Sequence, residues 1–337
     1  MSECRKSATI PPKVQSFLAS CTNLPSLPSV VIKIIDASKD PEIGLAEVAE
    51  IIQVDPVLSA KLLKVSNSSL YARRREITNL RDAMALLGLN ASLIIALSFS
   101  LVRSLNSNAD NSFNYDEFWK RSILSATIAR QIGSKLKLPN LEDLFMAGLL
   151  QDIGILAMDS CQNEIDSEQF SSSHFCRLKD EQEKLGIDHS DIGAWLLKSW
   201  NLPEKLYKAV LCSHVSFSKQ VKTYEDEIFY QCVSISSNLT DIWIEADREP
   251  VIERNADSIE LLLGYNREEL NQLINEVDEL LPEISNMFEI KIFDDKKRDK
   301  VLSEARDILL ERNILLNKQC DDDRKLIKSL SRKKRKV

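Results

Sequence analysis

Residues 43–65, IGLAEVAEIIQVDPVLSAKLLKV, decide the fold class. Over 43–53 the apolar residues Leu45, Val48, Ala49 and Ile52 recur three or four apart, which places them on one face of a helix. Asp55-Pro56 then marks a second helix start, because an Asp side chain can accept from the first free N–H groups and Pro is tolerated at the first helical position. That helix runs through Val57, Leu58, Leu62, Leu63 and Val65 and ends in the polar cluster Ser66-Asn67-Ser68-Ser69.

The same period predicts helices over 79–88, 91–104, 116–137, 141–159, 189–199, 203–214, 225–245, 256–263 and 267–287. No strand–helix alternation and no strict repeat interrupts it. Eight Gly and ten Pro in 337 residues are too few for the turns of an all-β sandwich or barrel. The expectation is an all-α fold, an irregular multi-helix bundle. A polar loop at 104–114 divides it into helical subdomains over 23–104 and 115–292, after an N-terminal segment 1–22. A second polar stretch lies at 160–174, inside the larger set.

Past Ile292 the composition shifts to a charge-rich helix, 295–330. Its apolar stripe of Val301, Leu302, Ala305, Ile308, Leu309, Leu315 and Leu316 suits a coiled coil, and so a homodimer, or docking on the body. Residues 293–337 hold 15 Lys/Arg against 9 Asp/Glu, a charge of +6, so the rest of this −7 chain carries −13. An acidic body is a poor binder of phosphate backbones, so nucleic-acid contact is expected only at the basic end, Arg332 to Lys336. The seven cysteines form no paired spacing and the first residues form no signal peptide, which together predict free thiols in the cytoplasm. Residues 83–102 carry no charge for 20 positions, but Gly88 and Asn90 read as a helix stop followed by an N-cap, so no membrane span is expected.

The residues that could carry chemistry lie between 118 and 154: Phe118-Trp119-Lys120-Arg121-Ser122 opens a long helix, and Ala147-Gly148-Leu149-Leu150-Gln151-Asp152-Ile153-Gly154 follows. The second string resembles the core of HD-type metal phosphohydrolases, with Gln where that superfamily has His. Its flanks are more specific. Leu24-Pro25-Ser26-Leu27-Pro28-Ser29-Val30, residues 51–59 (IIQVDPVLS), residues 62–68 (LLKVSNS), residues 83–88 (AMALLG), His189-Ser190-Asp191-Ile192-Gly193 and Trp200-Asn201-Leu202-Pro203-Glu204 occur in the order of the HDOD domain. The chain is therefore identified as a member of that family over 23–292. The resemblance implies a bacterial signalling module with an HD-like fold that generally lacks the full metal site.

Carried across position by position, the resemblance puts Arg121 where the first His ligand belongs, Gln151 at the His of the HD pair, and Asp152 at its Asp. His189 keeps the later His. Ser213-His214 keeps one of two adjacent His, and Ser237 stands at the final Asp. A cation at 121 opposes metal binding, and Arg121 is expected instead to pair with Asp152 inside the bundle. The expectation is therefore no catalytic residue, no cofactor and no bound metal. Asp152 and His189 also have ordinary structural readings, as a buried polar group and a helix cap. His174, in the polar stretch, is assigned no role.

A separate segment, Ser66 to Arg75, combines Asn67, Ser68, Tyr71, Arg73, Arg74 and Arg75. It reads either as a surface for an acidic or phosphorylated partner or as an interhelix turn in which Asn67 and Ser68 satisfy helix ends. The functional expectation is a non-catalytic signalling scaffold working through protein contacts with cyclase (GGDEF), EAL, receiver or kinase proteins, in cyclic-di-GMP or two-component signalling. The alternatives are a degenerate metal-dependent phosphodiesterase acting on a cyclic (di)nucleotide, and nucleic-acid contact through the basic tail.

Overall fold

In the computed structural model, the 43–65 stretch forms two helices, α2 (Leu45–Gln53) and α3 (Pro56–Ser66), preceded by α1 (Ser29–Ala37). The α3 start is the one its sequence dictates: Asp55 Oδ1 accepts from the Val57 N–H at 2.9 Å, and Pro56 sits at the first helical position. After them come α4 (Leu80–Leu87), α5 (Leu89–Asn106), α6 (Tyr115–Lys135), α7 (Leu141–Leu150), α8 (Ile153–Asp159) and α9 (His174–Leu185). The order closes with α10 (His189–Ser199), α11 (Glu204–Leu211), α12 (Glu225–Ile244) and α13 (Arg267–Phe288). The structure describes residues 27–71, 76–106, 113–160, 174–215, 225–245, 249–252 and 264–292, with isolated positions elsewhere. No strand occurs among the described residues, and the fold is all-α.

The axis is α6. Asn114 caps it by accepting from the Glu117 N–H at 3.1 Å, and it packs against α7, α12 and α13 with Trp119, Ile123, Ala126 and Ala129 buried. Two glycines set how closely its neighbours approach. A Cβ on Gly148 of α7 would lie 2.8 Å from the Ala126 Cα of α6. A Cβ on Gly154 of α8 would lie 1.9 Å from the His189 carbonyl oxygen at the start of α10. These contacts press the α7–α8 junction, where Gln151 and Asp152 sit, against α6 on one side and α10 on the other. On the far side, α5 packs on α1, α3 and α7. The end of α13 is tied to α3 by Lys61 Nζ to Glu289 Oε1 at 2.7 Å and Lys64 Nζ to the Asn286 carbonyl at 2.8 Å.

Several boundaries differ from the sequence reading. The apolar run 83–102 bends by 112° at Gly88, whose φ is +87°, so no single helix among the described residues is long and apolar enough to cross a membrane. Asn90 lies inside α5 rather than capping it. The helix expected over 141–159 breaks at Gln151-Asp152, and α1 and α9 occupy stretches where no helix was expected. Residues 256–263 and 295–330 lie largely outside the described residues, although Ala305 is buried and Ile308 packs on the core. Cys176 and Cys232 are free thiols as expected, but Cys212 is in a disulfide.

Candidate functional site

The break between α7 and α8 aims the Asp152 carboxylate at the middle of the bundle, where it is fully buried. One oxygen, Oδ2, accepts from Arg121 Nε of α6 at 2.9 Å. The expected Arg121–Asp152 pair is therefore present, but it is half of a larger arrangement. Arg121 NH1 also donates to Asp241 Oδ1 at 2.5 Å, and NH2 donates to the Ser237 carbonyl at 3.2 Å. Asp241 was missed because the sequence reading stopped at Ser237, one helical turn short. No carboxylate stands at 237, yet the next turn of α12 delivers one to the same place. Burial opposes the Arg121 charge, and Asp241 and Asp152 together hold the guanidinium protonated.

The other oxygen of Asp152, Oδ1, faces three imidazoles. His174 Nε2 and His189 Nε2 lie 3.4 Å from it and His214 Nε2 lies 3.3 Å away. His189 Nε2 and His214 Nε2 are 2.9 Å apart. The four ligand atoms all fall within 4.8 Å of one another. His174, assigned no role from the sequence, opens α9 and turns its ring into this cluster. Conversely Ser213, where a further His was expected, donates its hydroxyl to the Val210 carbonyl at 2.7 Å and takes no part. A chain reader cannot foresee this exchange, because His174 reaches the site from a different element.

Outer contacts orient the rings. Glu181 of α9 accepts from both the backbone N–H of His189 at 2.8 Å and its Nδ1 at 2.7 Å, so His189 Nε2 is the nitrogen turned toward Asp152. Ser237 Oγ lies 3.1 Å from His214 Nδ1. The α10 cap is Asp188, not His189, and its carboxylate accepts from the Ser190 N–H at 3.0 Å. Gln151 points away, donating to Ser125 Oγ at 2.6 Å. Burial works against an ionised Asp152, but the imidazoles of His174, His189 and His214 gathered around Oδ1 hold its carboxyl well below the usual range. Burial and the Arg121 charge push His174 well down toward the neutral ring, and burial and the His189 charge lower His214. For His189 burial is outweighed by Glu181, which raises it to about 10.

The fit to a cation can be judged from the donors. Two ligands bound at about 2.0–2.1 Å to one tetrahedral ion are roughly 3.4 Å apart, and three of the separations here are 3.3–3.4 Å. Asp152 Oδ1 and His174 Nε2 are buried without a hydrogen-bond partner, which is what an atom waiting for a metal looks like. Three imidazole nitrogens and one carboxylate oxygen suit zinc and its first-row neighbours rather than magnesium or calcium. The residues present therefore fit one ion, at the Oδ1 side of Asp152, and the Oδ2 side is filled by Arg121.

In the second segment singled out from the sequence, the described side chains make contacts within the chain. Asn67 Oδ1 accepts from the Ile77 N–H at 2.9 Å and its Nδ2 donates to the Ile77 carbonyl at 2.7 Å, closing the loop over 67–77. Ser68 is buried, its hydroxyl on the Val65 carbonyl at 2.6 Å. Tyr71 donates its hydroxyl to Glu142 and lies under the Arg130 guanidinium. Arg73, Arg74 and Arg75 lie outside the described residues.

The described residues are all-helical, with the site built from an Asp at a helix junction and His on the following helices. The HDOD domain matches residues 24–216, more than half of the chain, and the chain belongs to that family. It is similar to an HDOD domain protein with unknown function from Geobacter sulfurreducens, with 23% identity, a TM-score of 0.60, and 83% of this chain and 96% of that one covered. A Shewanella amazonensis SB2B protein provisionally named a metal-dependent phosphohydrolase has 23% identity and a TM-score of 0.60, covering 82% of this chain and 96% of its own. A Marinobacter aquaeolei VT8 protein provisionally named a signal transduction protein has 19% identity and a TM-score of 0.56, covering 84% and 67%. At these identities the likeness concerns the fold. An uncharacterised Treponema pallidum protein is 24% identical over 200 residues, 57% of this chain, and the chain spans only 38% of its length.

Proposed function

We propose that this chain is a non-catalytic HDOD signalling module, acting through contacts with other proteins of a bacterial signalling system. The observation that carries the reading is Arg121. Its guanidinium lies on both Asp152 and Asp241. A binuclear phosphohydrolase needs such carboxylates free for a second ion that activates water or binds a phosphate oxygen. A side-chain cation there neutralises the carboxylates and supplies no hydroxide. On the other side, four protein donors converge, and a four-ligand zinc-type site leaves no position for water or substrate. Partners of the cyclase, EAL, receiver or kinase type fit the signalling name of the Marinobacter neighbour and the family resemblance.

The second reading is a one-metal phosphohydrolase on a cyclic dinucleotide, favoured by the convergence of Asp152, His174, His189 and His214. There the bound ion would supply Lewis acidity toward a phosphate oxygen. Arg121, already committed to two carboxylates, would have to be released to meet the substrate. The test is turnover of a cyclic dinucleotide and of bis(p-nitrophenyl) phosphate by the full chain in the presence of Zn2+ or Mn2+. No release above the metal-only blank is expected. Release that disappears in Asp152→Asn would overturn the non-catalytic reading.

A further inference from the structure

Helix α9 is attached to the molecule differently from the others. Its sequence, HFCRLKDEQEKL, is dominated by charge, and among its described side chains only His174 and Glu181 are buried. Both are polar. Alone among the described helices, α9 makes no extended packing against another helix, although Leu185 touches the edge of the core. Polar contacts at the site hold it. The His174 ring lies edge-on to His189 and His214 with centroids 5.1 and 4.8 Å away, Glu181 holds His189, and Gln182 donates to Asp188 Oδ2 at 2.7 Å. An amphipathic helix is normally held by its apolar stripe. In α9 a polar stripe of His174, Glu181 and Gln182 contributes as well, and it converges on one point.

That point has a cost as it stands. His174 Nε2 is buried with no well-formed hydrogen bond, and Asp152 Oδ1 meets its three imidazoles only at 3.3–3.4 Å. Among its described side chains α9 buries no apolar residue, so the docking of His174 depends on what its ring meets. A cation between the four ligand atoms satisfies both groups at once.

We infer that Asp152, His174, His189 and His214 bind a single divalent ion of zinc's class, and that this ion latches α9 onto the body. The inference deepens the non-catalytic reading, and rests on it in taking the four-ligand set as closed. Arg121 fixes the stoichiometry at one by occupying Asp152 Oδ2 and Asp241. Because ligand binding to the docked form suppresses opening in proportion to its saturation, Zn2+ at 100 times its Kd should slow opening of α9 about 100-fold.

The test uses the full chain stripped with chelator, then dialysed against Zn2+, with Mg2+ as control, and read by elemental analysis and by hydrogen–deuterium exchange. One zinc per chain is expected, with exchange over 174–185 slowed by roughly two orders of magnitude and α6 unchanged. His174→Ala should keep the protected α6 core and lose both the zinc-dependent protection of α9 and at least tenfold in affinity. If that variant does not fold, Glu181→Gln serves, with an expected affinity loss of about 10–100-fold from the freed His189 ring. Zinc at background level, or bound zinc that leaves α9 exchange unaltered, would overturn the latch. Turnover in the phosphodiesterase assay with the latch intact would instead overturn only the non-catalytic reading.

Discussion

Replacing Arg121 by Ala removes the charge partner that Asp241 has among the described residues and one of the groups that neutralise Asp152. The side chains of Arg121, Asp152 and Asp241 are 10%, 1% and 8% exposed, so neither carboxylate recovers its hydration when the guanidinium goes. Breaking a buried ion pair by deleting one partner costs about 3–5 kcal/mol. Against a total stability of roughly 5–15 kcal/mol that is a large fraction. For a helical body of this size it corresponds to a fall of about 6–20 °C in Tm. The assay is thermal unfolding followed by circular dichroism. Arg121→Met combined with Asp241→Asn should recover about half of the loss, since one stranded carboxylate disappears and the other keeps its three imidazoles. Arg121→Lys should fall between, because a single ammonium cannot reproduce the forked contact to two carboxylates. Added Mn2+ should stabilise Arg121→Ala more than the parent, by occupying the place the guanidinium left. An Arg121→Ala protein within about 1 kcal/mol of the parent would refute the charge reasoning, since it would mean that water or rearrangement already serves these carboxylates.

Gly154→Ala should cost about 3 kcal/mol or more in a urea titration, because the new methyl meets the rigid His189 carbonyl 1.9 Å away and neither backbone can give. A parent-like midpoint would show that α8 and α10 are further apart than described. Asn67→Ala should cost about 1–3 kcal/mol by leaving the Ile77 N–H and carbonyl without their partner. Asn67→Asp, which keeps the acceptor and loses the donor, should cost less, and equal stability for all three proteins would remove the loop-closing role.

How much was legible follows from where each signal resides. The pairing of an Asp with a Pro at 55–56 is a local cap, and α3 begins where that cap predicts. The apolar period of 116–137 likewise locates α6 within two residues at each end. By contrast α9 is charge-rich, and its buried His and Glu have partners on other helices that no local pattern shows. The break at Gln151-Asp152 was also invisible, because Leu149, Leu150, Ile153 and Leu156 continue the helical spacing straight through it. Only the close approach of Gly154 to α10 reveals why the chain must turn there.

The same distinction explains the site. Motif order singled out Arg121, Asp152, His189 and His214, and these side chains meet inside the bundle. It could not find Asp241, displaced by one turn, or His174, which enters from outside the pattern. Those two residues change what the remaining ones can do. With Ser237 alone, Arg121 would have one buried carboxylate to balance it; with Asp241 it has two, and the guanidinium becomes a substitute for an ion. With His189 and His214 alone, Asp152 Oδ1 would face an incomplete ligand set; with His174 it faces a closed one. A site that had only lost ligands would retain unpaired buried donors and acceptors, each a standing cost to the fold. Here one half is neutralised by a cation of the protein's own, and the other brings four donors to one point. The two unsatisfied atoms that remain, on Asp152 and His174, point at one shared position, which is why a bound cation rather than further repacking is the economical way to satisfy them.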